Sequence, residues 1–238
     1  MRDLNWFVSI CAANGLTLSD AQASKFERYR ELLLAANKEV NLISRKDEEN
    51  FYPNHALNSI SFLFARRLKP NAALLDLGTG GGLPGVPIHI IYSEINLLMV
   101  DSIGKKIASL SAILDEMRLK SARIATGRAE ELSRMREFQG HFDYVISRAA
   151  GKLDEVAKWS RGFLRNSEAA AGEQIPVGTL IVLKGGEFEN ELRHTRSLKF
   201  VDSVTVTDTA FQGMDEIYNK EKKMVLIKYK EGPARRIN

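Results

Sequence analysis

Apolar and polar positions along this chain keep two different rhythms. Between residues 20 and 40, Phe26, Tyr29, Leu32, Leu33, Ala36 and Val40 recur at three- and four-residue spacing, which draws one apolar stripe along a helix. Ser19 or Asp20 is its expected N-cap. The opening stretch MRDLNWFVSICAANG is also amphipathic. Asp3 and Asn5 interrupt it, so it is read as a helix of the mature fold and not as a signal peptide. A further helix is predicted over 49–68, broken by Pro70-Asn71. Residues 1–70 are therefore expected to be an all-helical extension, with a second domain over 71–238.

From Ala72 onward the period shortens. Apolar runs stand at 73–77 (ALLDL), 96–101 (NLLMVD), 122–126 (ARIAT), 143–147 (DYVIS) and 179–184 (TLIVLK). Helix-length segments separate them at 84–93, 104–117, 130–138, 152–165 and 187–197. Strands apolar on both faces, alternating with helices, predict an α/β fold with a doubly wound, mostly parallel sheet. Two runs at 202–208 and 223–229 have no clear helix between them. Five β-α units closed by a β-β pair predict seven strands, the layout of a methyltransferase sheet, where a plain dinucleotide fold would repeat β-α to six. Residues 168–178 read as an inserted loop with no evident chemistry.

The first strand runs into LLDLGTGGGLPGVP, residues 74–87, whose glycines admit two ligands. Gly80 to Gly85 satisfies the G-x-G-x-x-G pattern of dinucleotide sites, in which a pyrophosphate rests on a helix N-terminus. Asp76 to Gly82, including Gly78 and Gly80, satisfies the D-x-G-x-G-x-G pattern of S-adenosylmethionine (SAM) sites. There Asp76 is expected to help hold the zwitterionic methionine end. Asp101 closes the second strand, where a carboxylate can accept from both ribose hydroxyls, whichever cofactor is bound. After the third strand, the backbone and carboxylate of Gly127-Arg128-Ala129-Glu130 stand where an adenine edge is met, or where a carboxylate simply caps a helix. Asp76, Asp101, the glycine spacing and the β-β ending together favour SAM.

Composition narrows the classes further. With 44% hydrophobic and 27% charged residues, the chain resembles ordinary globular proteins. No apolar run approaches the roughly 20 residues that span a bilayer. Cys11 is the sole cysteine, so no internal disulfide forms and no cysteine cluster holds a metal; a reducing cytoplasm is the expected location. The net charge is only +4, yet from Lys220 to Arg236 seven basic residues face two acidic ones. Such a stretch is either a solvated surface or the footprint of a polyanionic partner.

Five segments in this order, LDLGTGGGLPGVPIHI, LLMVDSIGKKIASL, GRAEEL, FDYVISRAAGKLDE and VLKGG, resemble the RsmG (GidB) family, whose enzymes methylate N7 of a guanine in 16S ribosomal RNA. NLISRKD at 41–47 and HALNSI at 55–60 are similar to it as well. The resemblance spans about residues 20–230 and implies a Rossmann-like SAM-dependent methyltransferase acting on the small ribosomal subunit, with SAM as cofactor, no metal and no membrane, and a monomer expected. By that resemblance Gly78, Leu83, Ala129, Glu130 and Arg148 contact SAM, while Asn41, Lys46, His55 and Lys184 fall at functional or RNA-proximal positions. Two positions depart from the family pattern. Asn58 replaces an aspartate, and Lys222 stands near an expected arginine, keeping charge without the two-pronged fork.

The chemistry that is missing fits the same reaction. Methylation at a pyrimidine C5 needs a cysteine nucleophile, and Cys11 lies in the first helix. Methylation of an exocyclic amine usually uses an N/D-P-P-Y/F stretch after the fourth strand, where this chain has Ser147-Arg148-Ala149. No convincing Lys-Asp-Lys-Glu set serves a ribose hydroxyl. Guanine N7 is a lone pair with no proton to lose, so no general base is needed. Arg148 and Lys184 are the candidate catalytic residues. Arg148 can hold a carboxylate, guanine O6 or phosphate, or else pair with Asp154 or Glu155; Lys184 ends the fifth strand facing the cleft, or solvent. Lys222 joins Asn41, Lys46 and His55 as a candidate RNA contact. Trp6, Trp159 and most phenylalanines are expected in the core. A small-molecule methyltransferase, a nucleotide-dependent oxidoreductase and a non-catalytic RNA-binding module remain rival readings.

Overall fold

A computed structural model describes residues 2–148, 150–168, 170–209, 211–214 and 222–230. The amphipathic opening forms α1 (Leu4–Ala13), whose N-cap Asp3 accepts from the Trp6 N–H at 3.0 Å. The 20–40 stripe forms α2 (Asp20–Asn37). Ser19 and Gln22 cap each other reciprocally at its start, so two otherwise unpaired N–H groups are satisfied.

The next segment departs from expectation. In place of one helix over 49–68 the chain makes a 3-10 turn (Arg45–Asn50), a π-turn (Phe51–Leu57), the short α3 (Asn58–Ile60) and another 3-10 turn (Ser61–Phe64). Burial explains this: Phe51, Tyr52, Ala56, Leu57, Ile60, Phe62 and Leu63 are all enclosed, and a regular helix cannot bury residues all round against one sheet face. Pro53 also lacks the N–H that a regular helix would use.

The sheet follows the apolar runs to within a residue: β1 (Ala73–Leu77), β2 (Asn96–Asp101), β3 (Ala122–Thr126), β4 (Tyr144–Arg148), β5 (Thr179–Gly185), β6 (Val201–Asp208) and β7 (Lys222–Tyr229). Its order is β3-β2-β1-β4-β5-β7-β6. The first five are parallel, and β7 runs antiparallel between β5 and β6. Helices α4 (Gly85–Ile91), α5 (Gly104–Met117), α6 (Ala129–Leu132), α7 (Leu153–Ser160) and α8 (Glu189–Arg196) follow the five parallel strands in turn. α6 is shorter than the expected 130–138, because the chain continues in three-residue turns from Glu131 to Met135. α7 stops before 165, because Phe163 and Arg165 are drawn off to bond the Phe142 backbone.

Side-chain alternation sorts the core into two layers. Leu74, Leu97, Met99, Ile146, Ile181 and Leu183 pack on one face with Phe7, Phe26, Leu33 and Leu57 of the N-terminal helices. Leu75, Leu98, Val100, Val145, Leu180 and Val182 pack on the other with Leu153 and Val156 of α7 and Leu192 of α8. The first seventy residues thus share one continuous core with the sheet. The 168–178 loop belongs to it too: Ile175 and Val177 are buried, and the Tyr144 hydroxyl donates to the Ile175 carbonyl at 2.7 Å. Among the described residues no helix is long and apolar enough to cross a membrane.

Candidate active site

β1 lies between β2 and β4, and the chain winds outward from β1 in both directions. Such a switch point opens a crevice at the strands' carboxyl ends. A cleft of about 710 Å³ lies there, within the roughly 300–1,000 Å³ of typical ligand sites. Its lining includes Gly78, Gly80, Leu83, Asp101, Ala129, Glu130, Arg148, Lys184, His55 and Lys222, so ten of the thirteen candidate residues converge on one cavity. Asn41 and Lys46 do not line it; both are exposed on the segment beside it. Asp76 does not line it either.

The glycine loop is fixed from below. Gly78 and Thr79 donate to the Val100 carbonyl at 2.9 and 3.0 Å. Gly78 (φ +77°) and Gly80 (φ +56°) hold left-handed backbone, which glycine adopts without a Cβ clash. Asp76 is wholly buried beneath the loop, and its Oδ2 accepts from Thr79 Oγ1 at 2.6 Å and from the Gly85 N–H at 2.8 Å. Oδ1 has no partner among the described residues. Burial pushes the carboxyl up to about 6, against the pull of Thr79, Gly85 and Arg148. Asp76 therefore shapes the loop from within. Asp101 is shared: Oδ2 accepts from the Gly80 N–H at 3.0 Å and Oδ1 from the Ile103 N–H at 2.9 Å, and each oxygen keeps a lone pair for a ligand hydroxyl.

The N-terminal segment closes the loop from above. The Tyr29 hydroxyl donates to the Gly81 carbonyl at 2.8 Å, and Leu42 stands over Gly80 and Gly81 while also lining the cleft. Asn37, at the end of α2, holds this cover: its Oδ1 accepts from the Leu42 and Ile43 N–H groups at 2.8 and 2.9 Å, and its Nδ2 donates to Glu48 at 2.6 Å. Sequence reasoning missed Asn37 and Leu42. An asparagine ending an apolar stripe, followed by a short turn, was the available signal.

The far wall carries the cations. Arg148 ends β4 and reaches the irregular helical run, donating to the Asn54 carbonyl and to His55 Nδ1, both at 3.2 Å. Because arginine only donates, Nδ1 must present its lone pair, so the His55 proton sits on Nε2. Nε2 is buried with no partner among the described residues. Burial and then the Arg148 charge lower the His55 pKa to about 4, which keeps the ring neutral. Of the two acids weighed as Arg148 partners, Asp154 pairs with Lys158 at 2.8 Å and Glu155 accepts from the Lys152 N–H. Lys184 is no open strand end, since its ammonium pairs with Glu191 at 2.7 Å.

Trp159, expected in the core, is only half-buried and lines the cleft beside Gly151. Lys222 opens β7 opposite Gly185 and lines the cleft. Lys223 instead pairs with Asp208, and Lys228 lies six residues along the strand, roughly 20 Å away at strand rise. Among the described residues of the basic stretch, Lys222 alone borders the cleft. Lys220, Arg235 and Arg236 lie outside the described residues.

The cleft fits SAM by its construction: two glycines in left-handed backbone turn the loop sharply at the end of β1 and line the cleft, and a buried carboxylate stands at the end of β2. Comparison with known proteins agrees. The fold is shared with the fibrillarin pre-rRNA processing protein of Methanococcus jannaschii, at TM-score 0.53 and 12% identity over 74% of this chain and 77% of that one. The ribosomal RNA small subunit methyltransferase G of Porphyromonas gingivalis is 37% identical over 210 residues, 88% of each chain. That of Chlorobaculum tepidum is 35% identical over 190 residues, 80% of this chain and 81% of the other. The family model for rRNA small subunit methyltransferase G matches residues 22–218, and the chain belongs to that family.

Proposed function

We propose that this protein transfers the methyl group of SAM to N7 of a guanine in 16S ribosomal RNA, acting in the cytoplasm as a monomer on the small ribosomal subunit. The observation that carries this reading is the single cleft in which a cofactor cradle (Gly78, Gly80, Asp101, Ala129 and Glu130) meets a basic wall (Arg148, Lys184 and Lys222), in a chain of this family. Gly78, Gly80 and Leu83 would hold the methionine end over a loop braced by Asp76. Asp101 would take the ribose, and Ala129 and Glu130 the adenine. SAM supplies an electrophilic methyl carbon on a sulfonium.

What the protein must add is alignment and exclusion of water. Guanine N7 attacks with its own lone pair, so no residue has to remove a proton. Holding two reactants in line contributes about 7–11 kcal/mol in well-oriented systems. Arg148, with its guanidinium tied to His55 and Asn54, is placed to hold the base or its phosphate. Lys222, Lys46 and Asn41 would follow the RNA backbone away from the cleft. The buried Cys11, whose thiol is pushed up to about 12 by burial, is no nucleophile, which disfavours pyrimidine C5 as acceptor.

The test is incubation with labelled SAM and small subunits from cells lacking the protein. Reduction and aniline treatment cleave RNA at N7-methylguanine, so the label should map to a cut position in 16S RNA. Label on adenine or cytosine, or at an uncut guanine, would overturn the acceptor assignment. NADH binding without SAM binding would overturn the cofactor.

A further inference from the structure

Resting on the methyl-transfer reading above, we propose that Glu191 is a positioning residue for the acceptor half of the cleft, acting through Lys184 and the segment between Arg148 and α7. Glu191 lies in the first turn of α8 and does not line the cleft. One of its oxygens nevertheless joins three elements. Oε2 takes the Lys184 ammonium of β5 at 2.7 Å and the Leu153 N–H that opens α7, also at 2.7 Å. Lys184 in turn donates to the Gly151 carbonyl at 3.4 Å. Residues 151 and 153 are thus tied to one carboxylate, directly or through one ammonium.

That linkage sets where the cleft wall stands. Ala150 precedes the tied residues and lines the cleft. It also abuts the cofactor loop so closely that a Cβ on Gly78 would come within 2.4 Å of its own Cβ. The pair is sheltered, with 15% of the Lys184 side chain exposed and 26% of that of Glu191, so water screens it little. Two of the three ammonium N–H groups of Lys184 are committed to Glu191 and Gly151; the third has no commitment among the described residues. Glu191 therefore directs Lys184 as well as neutralising it. Without the carboxylate, a sheltered ammonium would seek other oxygens and draw the Gly151 segment with it. Among the described residues, Asp101 and Glu130 of the cofactor half share no bond with this triangle.

The experiment is methyl transfer to small-subunit RNA by the whole protein, with SAM affinity measured separately by calorimetry. Glu191→Gln should reduce kcat on the order of a hundredfold, as misplacement by about 1 Å does, and lower SAM affinity by much less, because the moved segment meets the cofactor loop at the Gly78–Ala150 contact while Asp101 is bonded elsewhere. Lys184→Gln should also lose activity. The double variant should lose less than the product of the two single losses, because part of what Glu191 does runs through the ammonium while its bond to the Leu153 N–H is direct. Should Glu191→Gln fail to fold, Glu191→Asp keeps the charge but cannot reach both partners, and should show the same split to a smaller degree. Unchanged kcat in Glu191→Gln would overturn the proposal. So would parallel loss of SAM affinity and kcat, or losses that multiply in the double variant, since those mark a general packing role. Inactivity of the wild-type protein on this RNA is a separate outcome, which overturns the methyl-transfer reading itself.

Discussion

Replacing Gly78 by alanine probes the point where two loops of the cleft meet. Gly78 has φ +77°, and an added Cβ would lie 2.4 Å from the Ala150 Cβ and 3.3 Å from its Cα. Two costs follow. The left-handed backbone costs an L-residue about 1–2 kcal/mol, and overpacking a site that must shift costs about 1–3 kcal/mol. Gly78→Ala should thus lower unfolding free energy by about 2–5 kcal/mol, a large part of a typical domain's stability. SAM affinity should fall as well, because the loops can separate only by reshaping the cleft. Gly80→Ala is the internal control. Its φ is +56°, but the nearest atom to an added Cβ is the Leu42 carbonyl oxygen at 3.7 Å, so only the first cost of about 1–2 kcal/mol applies. Urea unfolding with an unchanged slope measures the difference, and calorimetry measures SAM affinity. If Gly80→Ala proves as damaging as Gly78→Ala, or Gly78→Ala is nearly neutral, contact between the loops is not what fixes this glycine.

Asp101→Ala should weaken SAM binding by about 1.5–3 kcal/mol, the range for hydrogen bonds to a charged group, and should also lower the melting temperature, since Gly80 and Ile103 lose their acceptor; unchanged calorimetric affinity in a folded variant would remove Asp101 from the site. Asp76 keeps its proton in the folded state up to about pH 6 while the unfolded chain releases it near 3.9, so its contribution is fully present below pH 3.9 and is lost as pH rises through 6. Relative to Asp76→Asn, the wild type should therefore lose stability between pH 4 and 7, by about 3 kcal/mol at 1.36 kcal/mol per pKa unit; a pH-independent difference in urea unfolding would contradict this. Lys46→Gln and Lys222→Gln should each flatten the log–log salt dependence of RNA binding by about 0.7 if they meet single-stranded phosphate, and filter binding across a salt series that shows no change would return both to the solvated surface.

Local sequence determined the strands and the regular helices, because their signals are periodic and need no partner to be read. ALLDL and NLLMVD are β1 and β2 residue for residue, and Ser19 with Gln22 opens α2 by a local hydrogen-bond exchange. The cradle was legible for the same reason: glycines at fixed spacing after a strand mark backbone that a ligand approaches closely. Tertiary packing alone decided the rest. The run 51–64 is irregular because it is buried nearly all round, a demand imposed by a sheet face distant in sequence. Asp76 went beneath the loop because its strand position faces the N-terminal helices, where the Thr79 hydroxyl and the Gly85 N–H meet it. Lys184 and Glu191 are seven residues apart with a Gly-Gly turn between them, and nothing local states that they pair or that the Leu153 N–H joins them. Periodicity tells which face a side chain takes; only the folded chain supplies the partner it finds there, and at this cleft those partners come from β4, β5, α2 and α8 at once.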